Sequence, residues 1–186
     1  RADGVKAEID FARSYGKYAN LIVDAIESGD IPLRVTHNDT KLNNVLFDSE
    51  TGEDVCVIDL DTVMPGSALY DFGDALRFGA SSALEDETEL DKVYFDLEKY
   101  EQFAKGFLSE TADCLTETEK KLLPVSALIL TYECGIRFFA DYLNGDTYFK
   151  TKYETHNLDR ARNQFKLVRD IESKLDDMQK ITEKYI

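Results

Sequence analysis

Three short apolar runs, at residues 33–35, 45–47 and 55–58, lie close together in a chain whose other apolar residues recur at helical spacing. The turn-forming string Ser49-Glu50-Thr51-Gly52-Glu53-Asp54 separates the last two runs and makes them a hairpin. A small patch of strand in a helical background predicts an α+β fold, mostly helical. No internal repeat and no low-complexity linker breaks the pattern, so residues 1–186 are expected to form a single domain around one core.

The flanking helices follow from apolar period and stop signals. Residues 5–28 carry Val5, Ile9, Tyr15, Tyr18, Leu21, Ile22, Ala25 and Ile26 near helical spacing, before Gly29 and Pro32. Met64-Pro65-Gly66-Ser67 reads as a loop, and a helix from Tyr70 to Gly79 follows, with Asp71 as its cap. A further helix is predicted over 94–108. Thr116-Glu117-Thr118-Glu119 has the form of a capping box and opens a long buried helix towards Leu143, bent or interrupted at Pro124. Asn157 is the expected N-cap of a last helix with Leu158, Ala161, Phe165, Val168, Ile171 and Leu175 on one stripe, its charged far end fraying.

Composition removes several function classes. With 37 acidic against 22 basic side chains, the net charge of −15 disfavours nucleic acid and anionic membrane surfaces as partners. No run is read as a membrane span. Cys56, Cys114 and Cys134 form no CxxC pair and no disulfide framework, which points to a reduced, cytoplasmic setting. The acidic clusters at 85–87 and 117–119 are expected to be solvated faces and helix starts. His156 has no second imidazole or thiolate at ligand spacing, so no transition-metal site is expected there. Oligomeric state is not encoded in these patterns.

The chemistry is concentrated in Thr36-His37-Asn38-Asp39-Thr40-Lys41-Leu42-Asn43-Asn44-Val45-Leu46-Phe47 and in Val57-Ile58-Asp59-Leu60-Asp61. Phosphoryl transfer needs an oriented hydroxyl, metal ions across the phosphates and a carboxylate to take the hydroxyl proton. In the pattern H-x-D-x4-N, Asp39 has the position of that carboxylate and Asn44 that of a metal ligand, while Asp59, leaving a strand, can supply the second ligand. His37 is read as a brace for the loop. The literal Asp71-Phe72-Gly73 follows a Pro-Gly loop rather than a strand, so it is read as a support of the catalytic loop rather than as the metal triplet.

Together with Tyr70-Asp71-Phe72-Gly73-Asp74, these strings resemble the signature of the aminoglycoside phosphotransferase and choline kinase superfamily. The strings His37 to Asn44, Asp59 to Gly66, Arg137-Phe138, Asp146 to Phe149 and Asn157 to Arg160 are most similar to the N-acetylhexosamine 1-kinases within it. The resemblance covers about residues 33–170 and implies a protein-kinase-like C-terminal lobe with its hairpin beside the catalytic loop. It further implies ATP and Mg²⁺ as cofactors, Asp39 as the base at the sugar's anomeric hydroxyl, Asn44 and Asp59 on magnesium, and Arg137 and Tyr148 on the acetamido sugar. Asn38 stands where many relatives carry glycine, a departure that asparagine's tolerance of left-handed backbone accommodates.

Two alternatives stay open for Arg137 and Tyr148: an intrahelical ion pair with Glu133, four residues earlier, and a hydrophobic lid. Within the 186 residues no G-x-G-x-x-G, no G-x4-G-K-[ST] and no strand-borne lysine precedes His37. The nucleotide lobe is therefore expected to be absent and this lobe alone inactive. Two other functions compete with the sugar kinase: transfer to another hydroxyl acceptor, such as choline or an aminoglycoside, and a non-catalytic kinase-like binding domain.

Overall fold

The computed structural model describes residues 1–186 and is mostly helical with two small sheets. The expected helix over 5–28 is two: α1 (Lys6–Tyr15) and α2 (Leu21–Glu27), joined through a 3-10 turn at Gly16–Tyr18. Gly16 at the break has the lowest helix propensity of the ordinary residues, and the turn brings Tyr15 and Tyr18 together on Glu172.

Strand β1 (Arg34–Thr36) is followed by the hairpin of β2 (Val45–Phe47) and β3 (Asp54–Val57). The segment read as a loop at 64–67 contains β4 (Met64–Gly66), antiparallel to β1 with Val35 opposite Pro65. Such a short edge strand accepts a proline where a central strand would not, and for that reason its sequence resembles a loop.

Ser67, not Asp71, caps α3 (Ala68–Gly79), its hydroxyl accepting the Leu69 N–H. Helix α4 (Leu97–Thr111) begins a little later than expected, behind Asp96 as cap. The capping box at Thr116 and Glu119 is formed, and α5 (Glu117–Leu143) runs unbroken through Pro124. Glu119 is fully buried rather than solvated, because Arg34 reaches it from β1 at 2.7 and 2.8 Å. Helix α6 (His156–Thr182) starts one residue before Asn157, whose buried amide donates to Asp141 and Asp146 instead of capping. Its far end does not fray: Met178, Ile181 and Thr182 are buried.

Helices α3, α5 and α6 form the centre of the core, with α4 and α1 packed outside them. Contrary to the sequence reading, α5 is long and apolar enough to cross a bilayer. Its apolar residues are used inside the fold, against α3 and α6. Gly73 allows α3 to approach α5 closely, since a Cβ there would stand 2.5 Å from the Ser126 carbonyl oxygen. That contact seats α3, and with it Asp71, against α5.

Candidate active site

The loop between β1 and β2 is held by a carboxylate beneath it. Asp71 on α3 accepts the His37 N–H at 2.8 Å and the Asn38 N–H at 2.7 Å, while the Thr40 hydroxyl donates to the Asp71 carbonyl at 2.6 Å. Asn38 has φ 63°, and its amide donates to the carbonyls of Thr36 and Thr62. The left-handed backbone that glycine would favour is thus made by an asparagine with its own anchors. Asp71 therefore braces the loop as expected, though it caps no helix.

His37 is fixed on both ring nitrogens. Nδ1 accepts the Asp39 N–H at 3.3 Å, so Nε2 carries the proton towards the Ile58 carbonyl at 2.9 Å. One imidazole thereby ties the start of the loop to the end of the hairpin, and the Ile58 N–H returns a bond to the Asn44 carbonyl at 2.9 Å.

Asp39 projects from this frame. Its Oδ2 accepts from Lys41 Nζ at 2.7 Å and from Asn44 Nδ2 at 2.9 Å, leaving Oδ1 for a proton donor. Burial pushes the carboxyl up, but the hydrogen bonds from Lys41 and Asn44 and the Lys41 charge outweigh it and hold it below the usual carboxylate range. Asp39 is consequently an ionised, oriented acceptor at neutral pH. Lys41 was not singled out from the sequence; the signal was its place two residues after Asp39, within reach of the same carboxylate.

Asn44 is buried and uses its N–H groups on Asp39, so its Oδ1 is not taken up by a hydrogen bond within the chain. Asp59, at φ 66°, leaves β3 with an exposed side chain and adds to the field that raises the Lys41 ammonium, behind the larger contribution of Asp39. No group of three or more His, Cys, Asp or Glu side chains converges as a metal site. The Asn44 amide oxygen and the Asp59 carboxylate are oxygen donors of the type that magnesium accepts.

A cleft of about 670 Å³ opens beside the loop, lined by Asp39 and Asn38, by Tyr70, Asp74 and Arg77 of α3, and by Tyr132, Glu133 and Arg137 of α5. Arg77 is bonded to Asp74 at 3.0 Å and to Glu85 at 2.7 Å. Glu85 is thus the partner of a cleft arginine rather than a purely solvated acid. The Glu133 side chain keeps 51% of its surface, yet the cleft walls desolvate it enough to push its carboxyl up, against the pull of Arg137 and Arg77.

The sequence-derived residues divide accordingly. Asp39 and Arg137 share the cleft, and Asn44 touches Asp39. Tyr148 is 74% exposed and is not on the cleft wall; its loop neighbour Phe149 packs on Phe138 and lies 5.7 Å from the Arg137 guanidinium. Arg77 was missed, while Asp74 appeared only inside the signature string and Glu133 only as an ion-pair partner of Arg137; all three lie on α3 and α5, whose facing sides are set by tertiary packing. A sequence model of the phosphotransferase enzyme family matches residues 7–104, just over half of the chain.

Proposed function

Because the chain belongs to the phosphotransferase enzyme family, we propose that it is the acceptor-binding lobe of an ATP-dependent kinase that phosphorylates the anomeric hydroxyl of an N-acetylhexosamine. The observation that carries this reading is the Asp39 carboxylate, ionised, tied at Oδ2 and free at Oδ1, on the wall of a cleft large enough for one hexose.

In the proposed reaction the acceptor hydroxyl stands at Oδ1 of Asp39. As its oxygen bonds to the γ-phosphorus of ATP and the bond to the ADP oxygen breaks, its proton passes to Asp39. Lys41 and Asn44 keep the carboxylate from turning, which preserves the alignment on which such loose transition states depend. Asn44 and Asp59 would hold Mg²⁺, which when bound neutralises charge on the phosphates. Arg137 would contact the acetamido group, and Tyr148 would reach the sugar only by movement of its loop.

The nucleotide phosphates are taken to be covered by a lobe outside these 186 residues. The exposed apolar side chains Val35, Leu46, Phe47, Val55 and Val57 on the strands beside the loop support such a neighbour. The cytoplasm is the proposed location. Incubating the parent polypeptide with ATP, Mg²⁺ and N-acetylglucosamine should give a product whose ³¹P spectrum shows phosphorus coupled to the anomeric proton and whose reducing-sugar reactivity is lost. Phosphorus on another carbon would refute the anomeric assignment.

A further inference from the structure

Tyr70, Asp74 and Arg77 stand at helical spacing on α3 and line the cleft that holds Asp39, so one face of this helix forms part of its wall. Arg77 is locked between two carboxylates. Its Nε donates to Asp74 Oδ1 at 3.0 Å and its Nη1 to Glu85 Oε1 at 2.7 Å, and only 11% of its side chain is exposed. A guanidinium restrained at both ends restrains its partners in turn, and Asp74 is thereby an oriented carboxylate. Lys41, which bonds Asp39, also feels it: the Asp74 charge helps to raise the Lys41 ammonium, behind the larger contributions of Asp39 and Asp59.

The two cleft aspartates share one design. Asp39 is tied at Oδ2 by Lys41 and Asn44, and Asp74 at Oδ1 by Arg77, while Asp74 Oδ2 accepts no hydrogen bond within the chain. A carboxylate only accepts, so the group that completes Asp74 is a donor. Arg77 at 3.0 Å and the nearby Lys41 ammonium already oppose its charge, and a further cation would be repelled by both. A neutral hydroxyl meets no such repulsion.

We propose that Asp74 is a specificity-determining residue that accepts a hydrogen bond from a second hydroxyl of the acceptor, while the reacting hydroxyl stands at Asp39. This rests on the acceptor reading given above and narrows it: the cleft takes a polyhydroxylated molecule that spans two carboxylates, in preference to an acceptor with a single hydroxyl.

Steady-state kinetics of the parent polypeptide with ATP, Mg²⁺, N-acetylglucosamine and its 3-deoxy, 4-deoxy and 6-deoxy analogues test it. With the wild type, one of the analogues should show a KM about ten- to a hundredfold above that of the parent sugar, the loss expected of a charge-assisted hydrogen bond. Asp74→Asn keeps an oxygen for Arg77 Nε and puts an amide N–H where the free oxygen was. It should raise the KM for the parent sugar by a similar factor, keep kcat within a few-fold, leave the KM for ATP unchanged and no longer distinguish that one analogue from the parent sugar. Thermal melts check that the variant is folded. A folded Asp74→Asn enzyme with the wild-type KM for the sugar would overturn the role of Asp74, and so would one that loses equally on the parent sugar and on every analogue, the mark of a purely structural aspartate. Equal KM values for all four sugars with the wild type would overturn it without any variant. Absence of turnover with N-acetylglucosamine would overturn the acceptor reading itself, and the Asp74 proposal with it.

Discussion

Asp39 can be an effective base only while its neighbours hold it in place, and the loop is built for that from residues within a few positions of it. Replacing Asp39 with alanine should lower kcat by about 10²–10⁴, the usual contribution of a positioned acid or base, with little change in melting temperature. Lys41→Met has a different signature. Without the ammonium, the upward push of burial is opposed only by Asn44 and His37, so the Asp39 pKa rises and the acidic limb of kcat/KM should move to higher pH; an unmoved limb would show that Lys41 does not tune Asp39. Much of this was legible in the sequence, because H-x-D-x4-N spacing within one loop is set by local backbone. Lys41 was equally local but has no diagnostic spacing of its own. Arg77 was hidden, and Glu133 was legible only as a partner of Arg137, for another reason: they come to the cleft of Asp39 by packing of α3 and α5, and the facing sides of two helices are not written in either period.

At the scale of elements, two contacts carry the placement of the loop. Gly73→Ala would drive a methyl group into the Ser126 carbonyl, where backbone on both sides prevents easy relief. It should cost about 1–3 kcal/mol in a denaturant titration, and an unchanged midpoint would show that α3 and α5 can part without penalty. The Arg34–Glu119 pair ties β1 to the start of α5. Burial pushes the Glu119 carboxyl up, but Arg34 and the Thr116 N–H hold it below its usual range. Its stabilisation is therefore present above the ordinary glutamate pKa of about 4.3 and is lost as pH falls through the lower folded value. Glu119→Gln should destabilise the protein by about 3 kcal/mol at neutral pH and make the acid-unfolding curve shallower. An acid-unfolding curve as steep as that of the wild type would remove Glu119 from this role. The capping box was readable from its four residues, whereas the burial of Glu119 was not, since it depends on an arginine from a distant strand. The same holds for Asn157, whose residue type suggests a cap and whose amide instead anchors Asp141 and Asp146.

For the whole molecule, the helical lobe with one β patch was recoverable because each element has its own period or stop signal. The unbroken α5 and the β1–β4 pair were not, because packing overrides the local preference of Pro124 and Pro65. The assembled fold puts the oriented Asp39 carboxylate and the open Glu133–Arg137 pair on one cleft, and the proposed kinase rests on that carboxylate together with the family match. The most direct test follows ADP release from the parent polypeptide with ATP, Mg²⁺ and a panel of N-acetylglucosamine, N-acetylgalactosamine, choline and kanamycin, each beside Asp39→Ala. Turnover with the acetamido sugars that is lost in Asp39→Ala is the predicted result. Turnover with choline or kanamycin alone, or sugar turnover indifferent to Asp39, would contradict it.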